Sequence, residues 1–164
     1  MPAALANGAI DSYFVGEPHP ARAELAGTGR ILHHAKDIWP NFISCALVVT
    51  EALIERNPEA VRDLVRGIAE SGEWIERNRD DAARIGADYF KQDEALVRHA
   101  LTQPRDRVKY TNLTPEDPEF ERMEAMARKV GILERGVDVH ELVDRRFIPN
   151  EIVPVEIRAD AIKK

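Results

Sequence analysis

The apolar residues change their spacing along the chain. In the first fifty positions they come in short runs: Ile10 with Tyr13, Phe14 and Val15, then Ile31 and Leu32, then Cys45 to Val49. Short apolar runs bounded by turn formers predict strands, here over residues 10–15, 30–34 and 44–49. One helical stretch precedes the first and another separates it from the second. Residues 2–7 predict a helix stopped by Gly8. A second helix starts near Pro18, carries Ala21, Ala23, Leu25 and Ala26, and breaks at Gly27-Thr28-Gly29. This αβαβ order is that of an open, largely parallel sheet, so the expected fold class is α/β.

From Thr50 onward the pattern is mostly helical. Thr50 is placed to cap EALIERN, and Asn57-Pro58 supplies an N-cap and a first-turn proline for a longer helix. Val61, Leu64, Val65, Ile68 and Ile75 share one stripe of that helix, which should end at Asn78. Asn78 is placed to cap DDAARIGADYF, and residues 93–101 predict a further helix ended by Pro104. VKYTNL, residues 108–113, reads as short and extended. Thr114-Pro115 opens a helix with Phe120, Met123, Ala127 and Val130 on one face, stopped by Gly131, and a last short helix spans 138–144. From Pro149 a tail with two prolines and a Lys-Lys end reads as a strap or frayed terminus. Residues 37–42, DIWPNF, form a connector in which Pro40 biases Trp39 toward extended backbone. The change of character near residues 38–44 marks a boundary.

Composition narrows the function classes. With 164 residues, 44% apolar and 32% charged, the chain suits one domain or two small ones. A net charge of −6 argues against a nucleic-acid footprint, which is basic. No apolar run approaches the ~20 residues of a membrane span. One cysteine, Cys45, excludes an internal disulfide and a cysteine-based zinc site, and its apolar setting predicts a buried, inert thiol. The N-terminus, MPAALANGAID, lacks the basic start and apolar segment of a secretory leader.

The candidate chemistry sits in two places. Residues 16–20, GEPHP, follow the first expected strand and precede a helix. Ligands of open α/β sheets bind beyond the carboxyl ends of strands, where helix N–H groups also point. Glu17 would accept hydrogen bonds there and His19 would give or take one; the plainer reading is that both merely start the helix. Trp39, Asn41 and Phe42 place aromatics beside an amide, as small-ligand pockets do, or else pack over a linker. His33 and His34 point to opposite faces of an expected strand, and His99 and His140 lack ligand-spaced partners, so no metal site is expected. The acidic turns Arg79-Asp80-Asp81 and Pro115-Glu116-Asp117 complement helix dipoles. No phosphate loop, nucleophile elbow, HExxH or catalytic triad is spelled out.

The order of pieces resembles a known family. ALANGAIDSYFVGEPHPARAE, then GTGRILHHAKDIWPN, then ALVVTEALIERNPEAVRDLVRGIAESGEWIERNRDDAARI is similar to the solute-binding proteins of ABC importers, in their nitrate/sulfonate/taurine-type branch. YTNLTPEDPEFERMEAMARKVGIL is similar to that family's closing helices, so the likeness covers nearly all of residues 3–148.

The resemblance implies a type II periplasmic-binding fold, two α/β lobes closing on a ligand about a hinge. On that reading residues 1–38 belong to part of one lobe, 39–44 cross the hinge, 45–148 supply a strand and helices of the other, and 149–164 are a tail. The chain then reads as a truncated, C-terminal half, since complete members have two lobes of roughly 100–150 residues each. The ligand-binding residues implied are Gly16, Glu17, Pro18, His19, Trp39, Asn41, Phe42 and Ser44. The implied partners are a small solute and an ABC permease, the location periplasmic or extracellular, with no catalysis and no cofactor. Where nitrate- and bicarbonate-type members carry a charge after the DIW segment, this chain reads Asn41-Phe42-Ile43-Ser44, which favours a larger organic solute such as a sulfonate or heteroaromatic. Two other readings stay open. One is an enzyme akin to thiamine-pyrimidine synthases, which needs a Schiff-base lysine; none of Lys36, Lys91, Lys109, Lys129, Lys163 and Lys164 stands in such a context. The other is a ligand-sensing lobe whose exposed sheet edges favour self-association.

Overall fold

Caps written in the sequence set three of the helix starts. In the computed structural model, which describes residues 1–152, Thr50 Oγ1 accepts the Leu53 N–H at 3.3 Å and opens α4, Glu51–Arg56. Asn57 Oδ1 accepts the Ala60 N–H at 3.3 Å and opens the longest helix, α5, Pro58–Arg77. Asp93 Oδ1 does the same for α7, Glu94–Thr102, through Ala95 and Leu96. Before α7 comes α6, Arg79–Phe90. Asn78 precedes it but caps nothing with its side chain, which donates instead to the Trp74 carbonyl at 2.9 Å. The remaining helices are α1, Pro2–Ala6; α2, His19–Leu25; α3, Ala35–Ile38; and α8, Asp117–Lys129. Two 3-10 turns, Val139–Glu141 and Arg145–Phe147, replace the last expected helix. The tail expected from Pro149 lies, beyond residue 152, outside the described residues.

Among the described residues no β-strand forms, so the sheet of the expected α/β class is absent from them. Residues 10–15 and 43–49 are irregular or extended, residues 30–34 form a bend leading into α3, and 108–113 run along α5 without a ladder. The reason is physical. A strand is held by hydrogen bonds to a neighbouring strand, and among the described residues none of these segments is paired with another. The consequence for Cys45 is direct: the expected buried thiol is exposed, and Val48 beside it is 86% exposed.

Packing is concentrated in the helices. α6 and α7 form an antiparallel pair, with Gly86 facing Val97 and Ala83, Ala87, Leu96, Ala100 and Leu101 buried. α2 adds Ala21, which clusters with Leu96 and Ala100. Small residues at such positions let helices approach closely, but they bury little apolar area each. The α5 stripe is only half covered. Val61 is 2% exposed and Phe147 of the second 3-10 turn is also buried, whereas Leu64 and Ile68 remain 46% and 42% exposed. Residues 110–113 cross the other end of α5 over Gly72, where the Tyr110 carbonyl comes so close that a Cβ would lie 2.2 Å from it.

Candidate functional site

The corner at residues 16–20 is tied to the body by one arginine. Glu17 Oε2 accepts the Ala21 N–H at 3.2 Å, and Oε1 lies 3.3 Å from Arg107 Nη1. Arg107 Nη2 reaches Glu24 Oε2 at 2.5 Å, and the same oxygen lies 3.4 Å from His99 Nε2. The Arg107 side chain is 3% exposed, while Glu17 and Glu24 keep part of their surface in solvent. The 3.3 Å approach to Glu17 is an ion pair without hydrogen-bond alignment, and among the described residues neither Arg107 Nε nor Nη1 has a hydrogen-bond partner. Glu17 thus starts the helix, as the plainer reading had it, and also pairs across to the turn after α7. Pro18 precedes α2, and His19 is exposed, its carbonyl accepting the Tyr13 hydroxyl at 3.2 Å. Gly16 is exposed with no atom within 4 Å of a built Cβ.

Of the second set, Trp39 is the residue that rests on α8. Trp39 Nε1 donates to Glu119 Oε2 at 2.9 Å, its ring stands 5.8 Å from that of Phe42, and the Arg122 guanidinium lies over it at 5.6 Å. The short α3 delivers Trp39: Asp37 Oδ2 accepts the His34 N–H at 3.2 Å, and the Trp39 N–H closes the turn on Ala35 O at 2.8 Å. Asn41 follows in the left-handed region with φ 59°, a conformation its short amide tolerates. Asn41 and Ser44 are both exposed. Among the described residues no hydrogen bond or ion pair joins 16–20 directly to 39–44. Two surface hollows lie elsewhere. One of about 340 Å³ is lined by Arg77, Asn78, Asp81, Thr102 and Arg105. The other, of about 510 Å³, follows the uncovered stripe of α5 past Leu64, Ile68, Tyr110 and Leu113.

The polar centre that sequence reading missed is Arg79. It is 5% exposed, and its guanidinium donates to the Leu101 carbonyl at 2.5 Å, the Val108 carbonyl at 2.8 Å and Glu76 Oε2 at 2.6 Å. Glu76 Oε1 accepts the Tyr110 N–H at 2.7 Å. Burial pushes the Glu76 carboxyl up, but the Arg79 and Tyr110 hydrogen bonds together hold it below its usual 4.5. In the sequence Arg79 reads as part of an acidic helix start. Its signal, an arginine directly after a helix break, does not say that carbonyls from residues 101 and 108 will converge on it.

Comparison with known proteins places the chain. No solved structure matches it. Over 99 residues it is 25% identical to the bicarbonate-binding protein CmpA of Synechococcus sp., covering 58% of this chain. The CmpA of Synechococcus elongatus gives the same 25% over 99 residues. The chain spans 22% of the length of these curated relatives. The model of the NMT1-like family matches residues 1–88, more than half of the 164 and inclusive of both the 16–20 corner and the 39–44 segment. The likeness read from ALANGAIDSYFVGEP and DIWPN is therefore one of descent, and the chain belongs to the NMT1-like family.

Proposed function

We propose that this chain serves as a solute-binding component of an ABC importer, gripping a small organic anion and handing it to a membrane permease outside the cytoplasm. The observation that carries the reading is the family match over residues 1–88, supported by relatives named as bicarbonate-binding proteins. In this proposal the fold is completed as a type II periplasmic-binding architecture, with residues 39–44 crossing between lobes. Gly16, Glu17, Pro18 and His19 form one wall of the cleft and Trp39, Asn41, Phe42 and Ser44 the other. Catalysis has no part in it.

The side chains favour an organic anion over a bare inorganic one. The Trp39–Phe42 pair offers an apolar aromatic surface, and Arg122 stands over Trp39 as a cation. An alkyl or aryl sulfonate presents both matching parts. No helix among the described residues is long and apolar enough to cross a membrane, which fits a component that meets its permease rather than one that spans with it.

A thermal-shift panel of taurine, an aryl sulfonate, nitrate, bicarbonate and an aminopyrimidine tests the reading. A ligand at a hundredfold its Kd stabilises by about 2.7 kcal/mol, which is a rise in Tm of several degrees for a chain of this size. A sulfonate should give that rise and Trp39→Ala should abolish it. A panel without any shift at millimolar ligand would remove the proposal, and a shift with bicarbonate alone would replace its solute class.

A further inference from the structure

The corner at 16–20 and the segment led by α3 do not touch, yet both are fastened to adjacent residues of one turn. Arg107 Nη1 lies 3.3 Å from Glu17 Oε1. Its neighbour Asp106 accepts from Lys36 Nζ at 2.5 Å, on the helix that Trp39 directly follows. The turn that holds Asp106 and Arg107 leaves α7 and returns toward α5. Its two ends, the carbonyls of Leu101 and Val108, are both held by the single guanidinium of Arg79, at 2.5 and 2.8 Å. Arg79 is in turn fixed by Glu76 at 2.6 Å, and Arg105 of the same turn donates to the Glu76 carbonyl at 3.2 Å.

We infer that Arg79 is a positioning residue for the candidate site, a clasp that closes the 101–108 turn so that Asp106 and Arg107 hold the two separated segments in fixed relation. A planar, five-donor guanidinium suits this task because it binds two carbonyls and a carboxylate at once, which an ammonium cannot do in the same fixed geometry. Arg79 touches neither segment. Its influence passes through the turn, one arm ending at Glu17 and the other at Lys36. That the segments bind solute rests on the function proposed above; the clasp itself rests on the contacts alone.

Hydrogen exchange read by mass spectrometry on the purified chain separates the arms. Arg107→Gln should speed exchange in residues 16–22 while leaving 35–42 unchanged, and Asp106→Asn should do the reverse. Arg79→Met should speed both together, by about tenfold or more beyond any rise that the loss of global stability brings in α8. The paired swap Lys36→Asp with Asp106→Lys should return 35–42 to the rate of the unaltered protein, a rescue that mere loss of packing would not give. Exchange that rises no more in the two segments than in α8 in Arg79→Met, or stays unchanged in either segment, overturns the inference. Should Arg79→Met not fold, the two single variants and the swap decide it: failure of either to act on its own arm alone, or of the swap to rescue, overturns the clasp. A taurine thermal shift on the same proteins tells the two ideas apart. Selective exchange without any shift keeps the clasp and removes the solute reading, whereas a shift unaltered in Arg79→Met keeps the solute reading and removes the clasp.

Discussion

Glu76 Oε2 and Arg79 Nη2 stand 2.6 Å apart across the break where α5 ends and α6 begins. The pair is the polar knot of the helical body: Glu76 accepts the Tyr110 N–H, and Arg79 donates to the carbonyls that close the 101–108 turn. With Arg79 at 5% exposure and Glu76 at 19%, little water is available to replace either partner. Truncating one member of such a pair leaves the other charged, partly desolvated and unpaired.

Arg79→Met is therefore expected to cost about 3 kcal/mol, toward the lower end for a broken buried pair because Glu76 retains some solvent. For a chain of this length that is a fall in Tm of about 6–12 °C. Urea denaturation with a two-state fit measures it. A change under about 0.5 kcal/mol, the size of an ordinary surface substitution, would mean the carbonyls find other donors and the knot is not structural.

The same pair predicts acid sensitivity. The Glu76 carboxyl is lowered in the folded protein, with burial opposed by Arg79 and Tyr110. A lowered folded-state pKa gives stability that is present above the unfolded value near 4.5 and is lost as pH falls through the folded value. Tm measured downward from neutral pH should hold until that region and then fall. In Glu76→Gln the protein starts less stable and the acid fall is shallower. An identical acid profile in both proteins would show that Glu76 contributes nothing to it. Asp106, Asp117 and Asp144, lowered by Lys36, Arg145 and Arg146 in turn, supply the fall that remains.

Two glycines of α5 make a paired test of how residues 110–113 lie on the helix. A Cβ at Gly72 would meet the Tyr110 carbonyl at 2.2 Å and Leu113 Cδ1 at 3.1 Å, whereas one at Gly67 meets nothing within 4 Å. Gly72→Ala must push a backbone segment aside and should cost about 1–3 kcal/mol. Gly67→Ala relieves a helix interior of glycine and should gain about 0.5–1 kcal/mol. Thermal melts of the two variants should move in opposite directions. A neutral or stabilising Gly72→Ala would mean the segment does not lie on α5 as described.

How much of this was legible follows the range of the interactions. Thr50 and Asn57 announced their helices because a cap acts on N–H groups two or three residues away, and Asp93, read only as the first residue of its helix, acts in the same way. The apolar runs at 10–15 and 44–49 announced strands just as clearly, but a strand needs a neighbour, and the described residues supply none. The aromatic pair Trp39–Phe42 was legible as a cluster; its partners on α8, Glu119 and Arg122, were not, being some eighty residues away. Glu17 stood out by its setting. Arg107, which pairs with it ninety residues later, lies in a charged turn that reads like any solvated loop. Long-range polar pairs leave no period in a sequence, so the clasp around Arg79 had to be seen.

The uncovered run at residues 43–49, ISCALVV, yields the last prediction. It has no charge, no proline and no glycine, and none of its backbone groups is hydrogen-bonded to other backbone among the described residues. Leu47 is 47% exposed and Val48 86%. An unpaired apolar run of this kind pairs with whatever edge it meets, and the one certain to be present is its copy in another molecule. The net charge of −6 opposes association, but the run itself adds nothing to that repulsion. Sedimentation velocity over a dilution series should show association that grows with concentration. Because Cys45 is exposed, the measurement needs a reductant to keep disulfides from mimicking it. Val48→Lys places a charge where the side chain already faces water, so the monomer should lose less than about 0.5 kcal/mol while association falls away. A protein that stays monomeric at every concentration, or a Val48→Lys variant that associates as before, would place the contact elsewhere.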